Sequence, residues 1–146
     1  MHSRLVASAA ALLIVGGVAG CSDSEPVARP TGSLPAGTAE VSIGGAGQDK
    51  TNAVSCSTTG AVTTINTGDE SSGTTSTIDN TEALTVRSAE ITDVGGFTGS
   101  YWADLGRPAK VEMTGGTYLM TGSASGFRTD NPSARTTETF AIRVTC

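Results

Sequence analysis

Histidine is nearly absent from this chain. His2 is the single one in 146 residues, and it lies in a leader expected to be removed. Residues 21–146 then hold no Ser-His-Asp or Cys-His arrangement and no His-ligated zinc. Carboxylates are scattered along the chain, at Asp69-Glu70, Asp79, Glu82, Glu90, Asp93 and Asp104. No pair carries a spacing that marks glycosidase-type acid–base work. Asp79-Asn80 with Glu82, and Asp69-Glu70, offer oxygen ligands on loops, but no EF-hand spacing is present. The glycine pairs at 44–45, 95–96 and 115–116 lack the Lys-Ser/Thr of a phosphate loop and predict turns. No enzyme, cofactor or metal ligand is expected.

Basic residues are also scarce. The nine Lys and Arg are outnumbered by fourteen Asp and Glu, and the isoelectric point is near 4.7. Loss of Arg4 with the leader brings the charge to −6. Nucleic acid selects basic patches, so it is not an expected partner. Docking to anionic lipid through charge is excluded for the same reason. Aromatic residues make up 4% of the chain: three Phe, two Tyr and one Trp. Most of that supply must fill the core of a single domain.

Long hydrophobic runs are missing except at the start. Met1 to Arg4 is a short basic segment, Leu5 to Val18 is apolar and uncharged, and Val18-Ala19-Gly20 supplies small residues before Cys21. This is the layout of a secretory leader. The run falls short of the roughly 20 apolar residues of a membrane span. Small residues leading into a cysteine are what a lipoprotein signal peptidase cuts. The expectation is a cleaved leader over 1–20 and a diacylglyceryl group on the Cys21 sulfur. Acyl chains contribute about 0.8 kcal/mol per buried methylene, and two or more make a stable anchor. Residues 21–38 carry Pro26, Pro30 and Pro35 with Gly32 and Gly37, the composition of an extended linker. Ser22, Ser24, Thr31, Ser33 and Thr38 are candidate O-glycosylation points.

Three cysteines minus the lipidated one leave Cys56 and Cys146. In an exported domain an even pair most simply forms one disulfide; two unpaired thiols are the alternative. From Ala39 onward the chain is rich in Thr (23 in all) and Gly (19), with no helical period. Thr and Val suit a pleated surface, and Gly punctuates turns. Strands are expected over 40–43, 52–57, 61–67, 74–78, 84–94, 100–103, 110–114, 118–124 and 140–146. A phase slip near Ser88 predicts a bulge. Phe140, Ile142, Val144 and Cys146 share one face of the last strand, and Val54 and Cys56 share one face of an early strand. Both cysteines are therefore expected to point inward and meet across the core. A short helical turn is expected around 126–134. The fold class is all-β: one domain over 39–146, an antiparallel β-sandwich or partly open barrel. Tyr101-Trp102 is the one aromatic concentration. Neighbours on a strand face opposite ways, so one should enter the core and the other is a candidate partner-binding residue.

The segments Tyr118-Leu119-Met120-Thr121-Gly122-Ser123-Ala124-Ser125-Gly126, Phe140-Ala141-Ile142-Arg143-Val144-Thr145-Cys146 and Ala53-Val54-Ser55-Cys56 resemble those of the mycobacterial LpqH-type, or nineteen-kilodalton, lipoprotein antigens. The layout from leader to last residue is similar, although the linker is shorter and less Thr-rich than in the best-known member. The resemblance implies a β-rich, non-catalytic surface antigen at the cell envelope. It implies an acylated N-terminus sensed by host innate receptors, notably Toll-like receptor 2. It carries over Cys21 as the lipid site and Cys56–Cys146 as the bridge. A monomer is expected. The competing function is a carrier that holds an envelope lipid or glycolipid inside an opened barrel, which would need a sizeable apolar pocket.

Overall fold

Alternation in the sequence becomes alternation in burial. A computed structural model describes residues 28–146 apart from residue 48. Its strands are β1 (Thr38–Ile43), β2 (Asp49–Thr51), β3 (Val54–Thr59), β4 (Val62–Gly68), β5 (Gly73–Asp79), β6 (Thr85–Val94), β7 (Phe97–Trp102), β8 (Lys110–Thr114), β9 (Thr117–Arg128) and β10 (Asn131–Thr145). In β1, Ala39, Val41 and Ile43 are buried. In β10, Phe140, Ile142 and Val144 are buried with Ala141 and Arg143 half-exposed between them. This period of two is what a sheet with one buried face requires.

All pairings are antiparallel, in the order β2-β1-β10-β9-β7-β6-β5-β4-β3, with β8 also on β9. The sheet curls nearly into a barrel around one core. Phe97, Ile65, Ile78, Ile91, Met120, Ile142 and Val144 fill it, each essentially inaccessible to solvent. Polar groups that enter the interior are mostly paired with each other: Thr67 with Thr74 at 2.8 Å, and Thr117 with Thr145 at 2.5 Å. Buried hydroxyls need such partners. Ser76 is the exception, buried with no partner for its hydroxyl among the described residues.

Turn chemistry sets the register. Gly115 and Gly116 take φ of 56° and 79° between the paired ends Thr114 and Thr117. Two successive positive-φ positions are the geometry that joins two strands in a tight, correctly twisted hairpin. The slip expected near Ser88 is present. Thr77 faces Ser88 and Ile78 faces Val86, which leaves Arg87 as the extra residue of a bulge. Ser88 and Ala89 are consecutively buried as a result.

Three expectations need correction. Residues 126–134 are not helical. They form the end of β9, the start of β10 and the turn between them; β9 runs four residues past its expected end at 124, and β10 begins nine residues before its expected start at 140. Their Gly, Ser and Thr residues supply few apolar side chains, but pairing on both edges of β9 keeps them extended. Among the described residues a short 3₁₀ turn lies instead at Ala103–Leu105. The disulfide Cys56–Cys146 is formed, with Cα atoms 5.9 Å apart, but both cysteines are exposed rather than inward. Strand β10 ends at Thr145, whose side chain is turned in to Thr117, so the alternation does not reach Cys146.

The bridge joins β3, at one end of the strand order, to the residue after β10, near the other end. It spans 90 positions. Closing such a loop in the unfolded chain is worth about 4.6 kcal/mol in the chain-entropy treatment. The ordered module also begins before Ala39. The Leu34 amide donates to Thr117 Oγ1 at 2.8 Å, and the Gly37 amide to the Thr145 carbonyl at 2.9 Å.

The core makes a direct prediction. Met120→Ala, at a fully buried position, should lower unfolding free energy by about 2–5 kcal/mol. Met113→Ala, at a position 51% exposed, should change it by no more than about 0.5 kcal/mol. Urea denaturation of the two variants measures the difference.

Candidate functional site

The outer surface is interrupted beside β9, and the cause is a change of partner along that strand. One edge of β9 is paired with β10 along its length. The other edge is paired with β7 as far as Ser125, and with β8 from Thr121 onward. Residues 122–124 have no ladder partner on that edge. The segment 103–109, which joins β7 to β8, passes beside this gap. A cleft of about 620 Å³ lies there, open to solvent.

Tyr101 and Trp102 enter this region from opposite faces of β7, as strand geometry requires. Tyr101 is 4% exposed and packs on Phe140 with ring centroids 5.9 Å apart. Its hydroxyl accepts a hydrogen bond from the Ala109 amide at 2.9 Å. Tyr101 therefore belongs to the core and anchors the 103–109 segment, although its edge also lines the cleft. Trp102 is 46% exposed, and its indole N–H donates to Ser100 Oγ at 3.3 Å. Leu105, on the 3₁₀ turn, is 82% exposed. Gly122 permits this close assembly. A Cβ there would come within 2.8 Å of both Ala109 Cβ and Phe140 Cζ.

Charge in the cleft is of one sign. Arg107 and Arg135 both line it. Lys50, Arg87, Arg128 and Arg143 each face a carboxylate within 4 Å. The other described cations, Arg29, Arg107, Lys110 and Arg135, have no ion pair among the described residues, and of these Arg107 and Arg135 line the cleft. Asp104 sits on the neighbouring turn but does not line the cleft. Ser123, Ser125 and Thr137 complete the wall with hydroxyls. The two arginines and the hydroxyls were not anticipated from the sequence. The available signal was the period-two placement of Ser123 and Ser125 around buried Ala124, and of Arg135 and Thr137 on the facing strand.

The loop carboxylates considered as calcium ligands do other work. Asp69 Oδ1 accepts from the Ser71 hydroxyl at 2.6 Å and from the Ser71 and Ser72 amides. Asp79 Oδ1 accepts from the Thr81 hydroxyl and amide. Hydrogen bonds to Ser71, chiefly from its hydroxyl, hold the Asp69 carboxyl below its ordinary value of 3.8, and those from Thr81 do the same for Asp79. These are turns stapled by their own side chains. Among the described residues no three His, Cys, Asp or Glu side chains gather as metal ligands would. Cys21 and the leader lie outside the described residues.

Fold and site together define a disulfide-closed, all-antiparallel β module with a packed interior and an open cleft beside Trp102 on its outer face. The comparisons place it further. The model of the Mycobacterium 19 kDa lipoprotein antigen matches residues 32–146, and the chain belongs to that family. It is 35% identical, over the whole of both chains, to a protein described as a lipoprotein from Mycobacterium indicus pranii. It is 29% identical to lipoprotein LpqH of Mycobacterium tuberculosis H37Rv, over 97% of this chain and 96% of that one. With LpqH of Mycobacterium avium it shares 31% identity over 76% of this chain and 69% of that one. Among the described residues no helix is long and apolar enough to cross a membrane.

Two measurements check the local geometry. Tyr101→Phe leaves the Ala109 amide without its acceptor, and losing such a hydrogen bond costs about 0.5–1.5 kcal/mol. Hydrogen exchange at Ala109 should accelerate while exchange at Ile142 stays slow. For Asp69 and Asp79 the folded values lie below the unfolded ones. Their contribution is therefore present above pH 3.8 and is lost as pH falls through the folded values. Amide exchange at Ser71, Ser72 and Thr81, corrected for its intrinsic pH dependence, should rise only in that acidic window.

Proposed function

We propose that the mature protein begins at Cys21, is acylated there, and displays its β module at the envelope as a non-catalytic surface antigen. The observation that carries this reading is the cysteine directly after Val18-Ala19-Gly20, in a member of a lipoprotein antigen family. Division of labour follows from the chemistry. Acyl chains supply membrane affinity that the acidic surface cannot. The Pro-containing segment after Cys21 supplies reach. The β module supplies the surface that partners meet, and Trp102 and Phe127 are exposed aromatics on it. Host sensing through Toll-like receptor 2 is assigned to the acylated N-terminus and not to the sheet. The absence of histidine from 21–146 supports a role without acid–base catalysis.

The carrier reading has less support. An internal lipid would need the space that Phe97, Met120, Ile142 and their neighbours occupy. Native mass spectrometry of the detergent-purified protein distinguishes the two, since a carrier retains a lipid beyond its covalent acyl chains.

Cys21→Ser tests the main proposal. The variant should leave the membrane fraction in a detergent-free wash and lose signalling in a Toll-like receptor 2 reporter assay. A variant that still sediments with membranes contradicts the anchor.

A further inference from the structure

We propose that the cleft beside Trp102 is a binding site for an acidic oligosaccharide, one bearing carboxylate or sulfate groups on its sugar rings. This rests on the reading of the β module as a display surface and names what that surface takes. Three features converge. Trp102 offers a half-exposed aromatic face, the flat apolar platform on which the C–H face of a pyranose ring stacks. Arg107 and Arg135 supply two guanidiniums without carboxylate partners among the described residues, in a chain where acids outnumber bases. Guanidinium is the side-chain group best shaped for planar, bidentate capture of carboxylate or sulfate-like oxyanions. Ser123, Ser125 and Thr137 add hydroxyls on the strand floor, where sugar hydroxyls can exchange hydrogen bonds.

The size of the cleft agrees. At about 620 Å³ it lies within the roughly 300–1,000 Å³ of ligand sites. Charge complementarity decides between occupants. The chain is acidic as a whole, and this cleft is lined by two arginines and no carboxylate, so it favours an anionic occupant. A neutral glycan would leave the two arginines unanswered. A peptide adding as a strand would need a long free sheet edge, and the strands of the floor are paired except for the short gap at residues 122–124. Tyr101 is a positioning residue here, since its hydroxyl fixes the segment that carries Arg107.

The test uses the full-length protein in detergent micelles and three probes of equal length: an oligogalacturonate hexamer, a neutral glucose hexamer and a hexamer of glutamate. Titration is followed by tryptophan fluorescence, which reports Trp102 alone because the chain has one Trp, and by calorimetry. The acidic sugar should bind and shift the emission, and the other two probes should bind at least tenfold more weakly. Arg107→Gln and Arg135→Gln should each weaken acidic-sugar binding tenfold or more. Lys50→Gln, which loses an ion pair with Glu40 at the β2 edge of the sheet, should not. Circular dichroism of each variant confirms that the fold is kept. Equal binding of all three probes, tighter binding of the glutamate hexamer, no binding of the acidic sugar, or binding indifferent to both arginines overturns the proposal. None of these results bears on anchoring through Cys21, which membrane partitioning reads separately.

Discussion

Covalent closure is the constraint on which the rest of this module depends. An antiparallel sheet of this length has two free ends, and each presents unpaired backbone groups to solvent. Here the ends are β2 and β3, a strand of three residues and one that is mostly exposed. The Cys56–Cys146 bridge fastens β3 to the end of β10 and so holds the two ends together. A chain with six aromatic residues has little large apolar material to spend on a core. Curling one sheet on itself lets Ile, Val, Met and Ala from its single inner face fill the interior.

A filled, closed sheet leaves function to its outside. On that outer face the regular ladder is broken where β9 exchanges β7 for β8, and the cleft lies at that break. The hydrogen bond from the Ala109 amide to Tyr101 holds the segment beside the cleft, and that from the Leu34 amide to Thr117 holds the chain ahead of β1. Membership in the 19 kDa lipoprotein antigen family accords with a small, nearly closed β module carried by a lipoprotein.

Much of the architecture was legible because it rests on period-two patterning. Phe140, Ile142 and Val144 announce β10, and Gly115-Gly116 announces the β8–β9 hairpin. The pairing of Cys56 with Cys146 follows from counting. Their exposure does not: Cys146 follows the end of β10, and Cys56 lies on the edge strand β3, where residues 55–59 are all exposed. The long extensions of β9 and β10 were hidden for a related reason. Gly126, Ser133 and Thr137 carry no apolar signal, and their strand character comes from neighbours distant in sequence. The opposition of Tyr101 and Trp102 was legible, but its sense was not. The register Ala89↔Tyr101 decides which of them faces the core. Arg107 and Arg135 were invisible as a pair, since only the ordering of β7, β9 and β10 brings loop and strand together.

The most direct test of the closure account is hydrogen exchange of the intact protein, before and after reduction of its disulfide. Reduction should first release β2, β3 and the segment around Leu34, while amides of β6, β9 and the middle of β10 remain protected. Unchanged protection in β2 and β3 after verified reduction, or a uniform loss across all strands, would show that the bridge does not hold the ends of the sheet as described.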